Sequence, residues 1–387
     1  MNPALVALFL GAFSIGTTEF VPAGLLPDIA RDLDVSVPVA GLLISAYAAG
    51  VAIGGPIVSL LTSRFPRKPT ILVLMLIFVL GHVFGALAPS YPVLLAARLV
   101  ISVSHGSFFG LMAIITMSLV PPEKQGSAIA FTFAGISVAN LLGVPLGTFV
   151  GNAFGWRATF WAVGGLGILA ALAMLVFLPK VAAPQREGAT LGDQFRVLGS
   201  PKVYMTYAII VVMMLGFFSL FTFVAPWLTE VGHVPAGFVP WVLLLFGLGS
   251  TIGIFIGGRL NDKWPSEALL WSFLAQIVVF VGALLLGGNP VIAAVLVFLV
   301  GLTNLTTNAT LQTRILNGAA AAPDLASTLI SSVYNIGIAL GAYLGATALD
   351  RGMSYSQLPW IGILASTVAG LICVLTLRAE RQRGSAA

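Results

Sequence analysis

A carboxylate lies inside the first long apolar stretch of the sequence. Counted from Ala4 at about 1.5 Å per residue, Glu19 lies about 22 Å along a helix that must cross a hydrocarbon layer of about 30 Å. Because an acid in this layer costs at least about 2–3 kcal/mol on insertion scales, we expect it to face a cavity or a partner. Pro22 lacks an amide hydrogen and is expected to kink the helix beside the acid. Glu19 is thus predicted to bind and release a proton; a structural acid held by a neighbouring helix is the alternative.

The fourth apolar stretch holds a second buried charge. Arg98 lies about 10 Å from the outer end of its helix, which is about as deep as Glu19. Ser102 and His105 follow at i+4 and i+7 and share the face of Arg98. Since a deep arginine needs acceptors or water, we predict that Arg98 modulates the proton on Glu19 and that His105 belongs to the same proton-coupling group. The alternatives are that Arg98 snorkels to the outer headgroups and that His105 is a packed residue with one hydrogen bond.

Uncharged polar side chains are candidates for substrate binding. In the tenth apolar stretch Asn304, Asn308 and Gln312 share a face at i, i+4 and i+8, where amides can bind the hydroxyls or amides of a substrate without burying an ion. Hydrogen bonding between helices is the competing interpretation. The other predicted substrate contacts are Glu19, Phe109, Asn140 and Phe221. A structural role for Asn140 and lipid-facing packing of the aromatic side chains are the alternatives.

The composition is that of a membrane protein. Hydrophobic residues make up 58% of the 387 residues and charged residues only 8%, against about 25% in ordinary globular domains. The net charge of +5 therefore indicates membrane topology and not a nucleic-acid-binding surface. Cys373 is the one cysteine, which excludes disulfide frameworks and cysteine metal sites. Because the sequence has no nucleotide-binding loop, metal-ligand spacing or nucleophile–base pair, we expect neither an enzyme nor a cofactor or metal site.

Apolar runs predict an all-α integral membrane protein with twelve transmembrane helices. An even number of helices places both termini on one side. If that side is cytoplasmic, the only Lys or Arg residues outside are Arg31, Arg157 and Arg351, because Arg98 lies within a span and the rest of the 18 lie inside. The positive-inside rule then predicts cytoplasmic termini. The predicted spans are 3–27, 37–61, 70–88, 92–119, 126–149, 157–179, 203–228, 238–260, 268–286, 290–312, 325–347 and 358–377.

The chain is predicted to contain two homologous six-helix halves, residues 1–179 and 203–387. The polar break at 180–202 is expected to be a cytoplasmic linker, either irregular or with a short surface helix whose apolar positions are Leu191, Phe195 and Leu198. The segments 63–68 and 262–267, after the second and eighth spans, both place a cation, an aromatic residue and a proline at an inner turn. This repeat predicts pseudo-symmetric halves with the binding site at their interface.

Small residues recur at every fourth position in the second and fifth helices of each half. Such spacing allows close helix approach in lipid, and we expect these rows to form sliding contacts between the halves. The rows are Ala46, Gly50 and Gly54; Gly135, Ala139, Gly143, Gly147 and Gly151; Gly249, Gly253 and Gly257; and Gly337, Gly341 and Gly345.

Three groups of residues carry a resemblance that extends over essentially the whole chain. They are Thr18-Glu19-Phe20 with the following segment 24–30, Arg98 with His105, and the segment 143–148 continuing to 155–160. On these residues the chain resembles the major facilitator superfamily, and more narrowly its twelve-helix drug:proton antiporters of the sugar-efflux and chloramphenicol-efflux kind. Gly143, Pro145 and Gly147 resemble the antiporter signature of the fifth helix, which implies a role in conformational gating.

The inner loops depart from the superfamily pattern. The usual motif reads Gly, then Asp-Arg, then Gly-Arg-Arg/Lys; the first half has Ser59, Ser63-Arg64 and Pro66-Arg67-Lys68 in those places and lacks the acid. The acid is present in the second half as Asp262. The resemblance therefore implies that charge gating rests on Asp262 with Arg64 or Lys263. His105-Gly106 replaces the usual Gln-Gly after the arginine of the fourth helix.

The resemblance and the residues together predict a monomeric exporter in a bacterial inner membrane, with lipid, protons and a small-molecule substrate as its partners. It is expected to exchange protons for a small neutral or amphiphilic compound, such as an amphenicol drug or a sugar, by alternating access. A proton-coupled uptake symporter shares every feature of the fold and is the main alternative. A receptor or channel is a second alternative, for which the sequence has neither a continuous polar lining nor a soluble sensory domain.

Overall fold

The computed structural model describes residues 2–62, 64–180, 201–264, 267–318 and 323–384. The described residues form helices and short connections, without a β-strand among them. The predicted linker and its surface helix lie outside this range, apart from Lys180, Pro201 and Lys202. The predicted domain boundaries therefore stay predictions.

Twelve of the helices are long and apolar enough to cross a membrane, which confirms the predicted number. We label them in chain order: α1 Pro3–Gly24, α2 Val37–Thr62, α3 Arg67–Ala86, α4 Tyr91–Ser118, α5 Pro122–Phe154, α6 Trp156–Phe177, α7 Pro201–Phe221, α8 Ala236–Lys263, α9 Ala268–Leu286, α10 Pro290–Ile315, α11 Leu329–Asp350 and α12 Tyr355–Glu380.

Spans α1, α5 and α10 are among those that change their helical geometry along their length. The α-helix of α1 covers Pro3–Phe20 and continues as a 3-10 turn over Val21–Gly24, as expected beside a proline without an amide hydrogen. In α5 a π-helical turn covers Ala139–Gly143, two residues before Pro145. In α10 the α-helix Pro290–Thr306 is separated by Thr307 from a second α-helix, Asn308–Gly318. The sequence predicted the first of these changes and neither of the others.

The chain forms two compact units. One comprises Met1–Arg186 with Gly237–Leu244, and the other comprises Glu187–Ala236 with Leu245–Ala387. In the first unit α1 packs against α5 and α6, α2 packs against α4, and α3 packs against α4 and α6. In the second unit α7 packs against α11 and α12, and α9 packs against α10 and α12.

The rows of small residues pack helices within a unit. Gly135 lies against α1, where a Cβ atom would come within 2.5 Å of the Phe9 carbonyl oxygen. Gly249, Gly253 and Gly257 of α8 lie against the α10 backbone, and the row of α11 lies against α7. Gly54 has nothing within 4 Å of a Cβ position. Each of these close approaches joins neighbouring helices of one unit, and the expectation of sliding contacts between the halves stays a prediction.

Candidate functional site

Glu19 lies at the end of the α-helical part of α1, one residue before the change to 3-10 geometry. Its side chain is half-buried, whereas the preceding residues Thr17 and Thr18 are each 2% exposed. Among the described residues Glu19 forms neither a hydrogen bond nor an ion pair. A structural acid held by a neighbouring helix would have such a partner. The carboxylate is therefore free to bind a proton or a cationic donor.

Arg98 is fully buried in α4 beside α1 and α2. Its Nη1 donates to the carbonyl oxygen of Thr18 at 2.9 Å and to the Thr18 hydroxyl at 3.3 Å. Its Cζ lies 3.9 Å from the ring centroid of Tyr47, an arrangement in which a cation is attracted to the face of an aromatic ring. Arg98 does not snorkel to the headgroups, because it is 0% exposed and its Nη1 donates to Thr18 of α1.

The charges of Arg98 and Glu19 are close enough to interact, but the two side chains do not form an ion pair. The Nε and Nη2 atoms of Arg98 are buried and have no hydrogen-bond partner. These two donors lie on the same edge of the planar guanidinium group, the edge that can bind both oxygens of a carboxylate. The structure thus places an unpartnered acid near an arginine that has one unused bidentate edge.

Thr18 connects Arg98 to His82 of α3. The Thr18 Oγ1 and His82 Nε2 atoms are 2.8 Å apart, and the His82 Nδ1 atom is 2.8 Å from the carbonyl oxygen of Phe78. Because a carbonyl oxygen can only accept, the hydrogen of a neutral ring lies on Nδ1 and Nε2 accepts from Thr18. The Thr18 oxygen is then left to accept from Arg98. These contacts form one directed chain from Arg98 through Thr18 and His82 to Phe78.

His105 belongs to the same cluster through Tyr47. The Tyr47 hydroxyl lies 2.9 Å from His105 Nδ1, and both side chains are buried. Phe109 packs against His105 with ring centroids 5.3 Å apart. The structure thus brings Glu19, Arg98 and His105 into one region of the first unit. Among the described residues, His105 forms one hydrogen bond, to Tyr47. This agrees with the alternative interpretation from the sequence, in which His105 is a packed residue with one hydrogen bond.

Analysis of the sequence missed Tyr47 and His82 as members of this cluster and gave Thr18 no role of its own. Tyr47 lies in an apolar stretch of α2, and His82 is the one polar residue within the otherwise apolar run 71–86 of α3. Their partners are distant in the chain, so that neither residue shows a spacing typical of a site. The depth of each residue was the one available signal, since a polar side chain far inside an apolar helix needs a partner.

The α5 residues of the predicted gate contact α1 next to this cluster. Gly143 lies against Thr17, and a Cβ atom on Gly147 would lie 2.6 Å from Val21. Pro145 is buried and follows the π-helical turn that contains Asn140. The Oδ1 atom of Asn140 is buried without a hydrogen-bond partner. The segment therefore combines a close helix contact, a widened turn and an unused acceptor in the part of α5 that faces α1.

The predicted amide face of α10 is interrupted by the break at Thr307. The Thr307 hydroxyl donates to the Asn304 carbonyl oxygen at 2.7 Å, and the second helix begins at Asn308. Asn304 is buried with an unpaired Nδ2, whereas Gln312 is exposed and donates to Asn308 Oδ1 at 2.8 Å. The prediction that these three amides form one substrate-binding face stays a prediction.

A polar network that the sequence did not predict joins three helices of the second unit. Gln276 of α9 donates to the carbonyl oxygen of Thr303 in α10 at 3.2 Å and accepts from Ser366 of α12 at 3.2 Å. Gln276 is 4% exposed. This network gives the buried Gln276 amide its hydrogen-bond partners. It joins α9 to α12 and to the part of α10 that precedes Thr307.

Phe221 of α7 lies in an aromatic cluster of the second unit. Its ring centroid is 5.0 Å from that of Phe217 and 4.5 Å from that of Phe246 in α8. Phe221 is 3% exposed, so its ring is part of the packed interior. Phe109 is half-buried and packs against Phe108 and Phe133 as well as His105. Of the two predicted aromatic contacts, Phe109 has the more accessible ring.

The predicted charge-gating residues of the inner loops are exposed. Asp262 forms no ion pair with Lys263, whose Nζ lies 5.2 Å from the Trp264 ring centroid. Arg64 is exposed, and the neighbouring Lys68 donates to the Leu175 carbonyl oxygen at 2.8 Å near the end of α6. Ser63, Pro265 and Ser266 of the repeated segments lie outside the described residues. Lys68 thus donates to a carbonyl oxygen at the C-terminal end of α6.

Two further charged clusters stabilise the units. In the first, Asp32 accepts hydrogen bonds from Arg157 and from Trp156 Nε1, and the hydrogen bond from Arg157 lowers the pKa of the Asp32 carboxyl. In the second, Arg314 donates to Glu380 Oε1 at 2.9 Å. Arg314, which lies outside the predicted span 290–312, is 7% exposed and belongs to the second helix of α10. Among the described residues no three His, Cys, Asp or Glu side chains are placed to hold a metal ion.

Comparisons with known proteins agree on one family. A model described as Major Facilitator Superfamily matches residues 8–342. "Inner membrane transport protein YdhP" of Escherichia coli (strain K12) is 39% identical, covering 99% of this chain and 97% of that protein. A "Chloramphenicol resistance protein" of Streptomyces lividans is 35% identical, with coverages of 95% and 94%. A "Probable sugar efflux transporter" of Helicobacter pylori (strain ATCC 700392 / 26695) is 32% identical, with coverages of 97% and 95%.

The fold has counterparts among solved structures. A bacterial homolog of the human lysosomal transporter Spinster, in an inward-facing and occupied conformation, superposes with a TM-score of 0.74. The match covers 97% of this chain and 96% of that one at 18% sequence identity. At this level of identity the likeness shows the shared fold alone.

Proposed function

Since the chain belongs to the Major Facilitator Superfamily and is a multi-pass membrane transporter, we propose that it exports small neutral or amphiphilic compounds in exchange for protons. The observation that carries the proposal is the half-buried Glu19 carboxylate, which has no ion pair although the charge of Arg98 lies nearby. An acid kept in a membrane helix without a partner costs free energy, which favours a role in carrying a proton.

Exchange requires that protonation of Glu19 changes the stability of one state relative to another. When Glu19 is ionised, the free Nε and Nη2 donors of Arg98 can bind its two oxygens, after a local movement of α1 against α4. When Glu19 is protonated, this attraction is lost and Arg98 keeps its contacts with Thr18 and Tyr47. Since a proton can shift an equilibrium only through such a difference, the pair supplies a physical basis for alternating access. His105 acts on Arg98 through Tyr47.

The substrate class follows from the relatives and from the uncharged character of the candidate contacts. Two relatives bear names that refer to chloramphenicol resistance and sugar efflux. Amphenicol drugs and sugars both offer hydroxyl groups, and amphenicols also offer an amide, which suit amide side chains. The proposed substrate contacts are Glu19, Phe109 and Asn140 in the first unit and Phe221, Asn304, Asn308 and Gln312 in the second.

The conformational change is assigned to the segments that interrupt regular helices or carry unpaired charge. Gly143, Pro145 and Gly147 let α5 approach α1 beside Glu19. Arg64, Asp262 and Lys263 are exposed at the inner turns. The distribution of Lys and Arg supports cytoplasmic termini in a bacterial inner membrane. We propose a monomer of two six-helix halves, 1–179 and 203–387, with lipid, protons and substrate as its partners.

Growth of cells that overproduce the protein tests the direction of transport. Cells are exposed to amphenicols, cationic dyes and toxic sugar analogues, with wild type, Glu19→Gln and the matched exposed variant Glu123→Gln. We expect wild type and Glu123→Gln to confer resistance to at least one compound and to lower its accumulation, and Glu19→Gln to do neither. Sensitisation by the wild type would show uptake in place of export and contradict the proposal.

A further inference from the structure

We infer that His82 is a positioning residue of the proton site, which directs the Thr18 hydroxyl so that Thr18 holds Arg98 away from Glu19. This inference rests on the proposed function and deepens it, because it assigns a residue that sets how strongly Arg98 acts on the acid. It is carried by the hydrogen-bond chain from Arg98 to Phe78 and by the absence of a Glu19–Arg98 ion pair.

The direction of the chain is fixed at its end in α3. His82 Nδ1 lies 2.8 Å from the Phe78 carbonyl oxygen, which cannot donate, so that Nδ1 carries a hydrogen. A neutral ring then accepts at Nε2 from the Thr18 hydroxyl. With its hydrogen committed to His82, Thr18 presents its oxygen lone pairs to Arg98 Nη1 at 3.3 Å. His82 Nδ1, the Thr18 hydroxyl and Arg98 Nη1 therefore all donate to an acceptor when the hydrogen bonds run in this direction.

The surroundings of His82 favour the neutral ring. His82 is 1% exposed and packs against the rings of Phe78 and Phe160, with centroids 4.2 and 5.9 Å away. An imidazolium there would be a second buried cation behind Thr18, close to Arg98, and burial disfavours an unpaired charge. The other ionisable groups of the cluster are Glu19 of α1, Tyr47 of α2 and Arg98 and His105 of α4; none of them bonds to His82 directly.

Removing either member of the Thr18–His82 pair loosens Arg98 without releasing it fully. The Thr18 carbonyl oxygen still accepts from Nη1 at 2.9 Å, and the Tyr47 ring still lies under the guanidinium. Without the hydroxyl contact, Arg98 can turn its unused edge toward Glu19 and stabilise the ionised acid. The expected effect is therefore a shift in the pH at which Glu19 takes up its proton.

The test measures protonation of Glu19 directly. The full-length protein in membranes is treated with a hydrophobic carbodiimide, which modifies protonated carboxyl groups, and the labelled fraction of Glu19 is followed by mass spectrometry across pH. The variants are Thr18→Val, which has the shape of threonine without its hydroxyl, Thr18→Ser, which keeps it, His82→Phe, and the double variant Thr18→Val/His82→Phe. Glu19→Gln is the unlabelled control.

We expect the labelling midpoint to move to lower pH by about one unit in Thr18→Val and in His82→Phe, and to stay at the wild-type value in Thr18→Ser. The double variant should show no larger shift than Thr18→Val, because both changes act through one hydroxyl. Equal midpoints in all these proteins, or a shift in Thr18→Ser as large as that in Thr18→Val, would overturn the inference. If His82→Phe does not fold, the Thr18 variants alone decide.

The labelling experiment is independent of substrate, so its result can be separated from that of the proposed function. Retained efflux by Glu19→Gln would contradict the proposed function whatever the labelling shows. Loss of efflux in Glu19→Gln together with unchanged labelling midpoints would contradict the role of His82 alone.

Discussion

The guanidinium group of Arg98 lies over the ring of Tyr47, with Cζ 3.9 Å from the ring centroid, inside a cluster that contains no ion pair to that arginine. The cation is therefore stabilised by an aromatic face and by oxygen atoms of Thr18. Because these partners are uncharged, they do not neutralise Arg98. In the proposed mechanism its attraction to ionised Glu19 can then stabilise a different conformational state.

The two functions of Tyr47 can be separated by substitution. Tyr47→Phe keeps the ring under Arg98 and removes the hydroxyl bonded to His105, at an expected cost of about 1 kcal/mol. Tyr47→Leu removes both contacts and should cost a further 0.5–2 kcal/mol, approximately, for the cation–π contact alone. The measurement is the Tm of the purified protein in detergent. Equal Tm values for the two variants would show that the ring does not stabilise Arg98.

Close approach of α1 and α5 at Gly135 should make a Cβ atom intolerable there. Gly135→Ala places that atom 2.5 Å from the Phe9 carbonyl oxygen and 2.9 Å from the Phe13 amide nitrogen, which are backbone atoms and cannot move alone. We expect a loss of about 1–3 kcal/mol, seen as a lower Tm. Gly110→Ala in α4 is the matched control, since nothing lies within 4 Å of its Cβ position. A control that loses as much Tm as Gly135→Ala would argue against the packing explanation.

Asp32 should stabilise the first unit in a pH-dependent way. Its pKa lies below the usual value mainly because Arg157 donates a hydrogen bond to it. The stabilisation is present above the unfolded-state pKa of about 3.9 and is lost as the pH falls through the lower pKa of the folded state. Because the Asp32 side chain is 45% exposed, the contribution is expected to stay below about 1 kcal/mol.

The measurement for Asp32 compares the Tm of the wild type with that of Asp32→Asn at pH 7 and at pH 3. We expect the variant to be less stable at pH 7 and the difference to shrink at pH 3. Asp34→Asn is the control, because asparagine accepts the positive φ of 53° found at that position. A difference that grows toward acid pH would contradict the assigned direction.

Glu380 stabilises the second unit mainly through the buried arginine and not through the exposed lysine. Its Oε1 lies 2.9 Å from Arg314 Nη2 and 3.9 Å from Lys202 Nζ. Glu380→Gln leaves a buried guanidinium without its charged partner and should cost about 2 kcal/mol. Lys202→Met removes an exposed contact and should cost less than about 1 kcal/mol. Thermal unfolding of both variants decides; an equal or reversed order of Tm values would be inconsistent with this arrangement.

The number and approximate positions of the helices could be predicted because each crossing demands a long apolar run, which the chain shows twelve times. The proximity of Glu19 and Arg98 could also be anticipated, since both are charged residues at matching depth. The Thr18–His82 contact could not, because it joins residues 64 positions apart on separate helices and depends on how α1 and α3 pack.

Changes of helical geometry were harder to predict than the helices themselves. In α10 the Thr307 hydroxyl donates to the Asn304 carbonyl oxygen, a local contact with no clear sequence signal. Buried Arg314 lies two residues beyond the predicted end of the tenth span at 312, and inside the helix Asn308–Gly318. The burial of Arg314 depends on its tertiary contact with Glu380 of α12, whereas the contact at Thr307 is local.

The central claim, that Glu19 carries the exchanged proton, is tested most directly by proton release from everted membrane vesicles on addition of substrate. Wild type, Glu19→Gln and Glu123→Gln are compared with the compounds identified by the growth experiment. The account predicts that substrate addition releases protons from the lumen with the wild type and with Glu123→Gln, and that Glu19→Gln, correctly inserted and still able to bind substrate, releases none. Undiminished release by Glu19→Gln would contradict it.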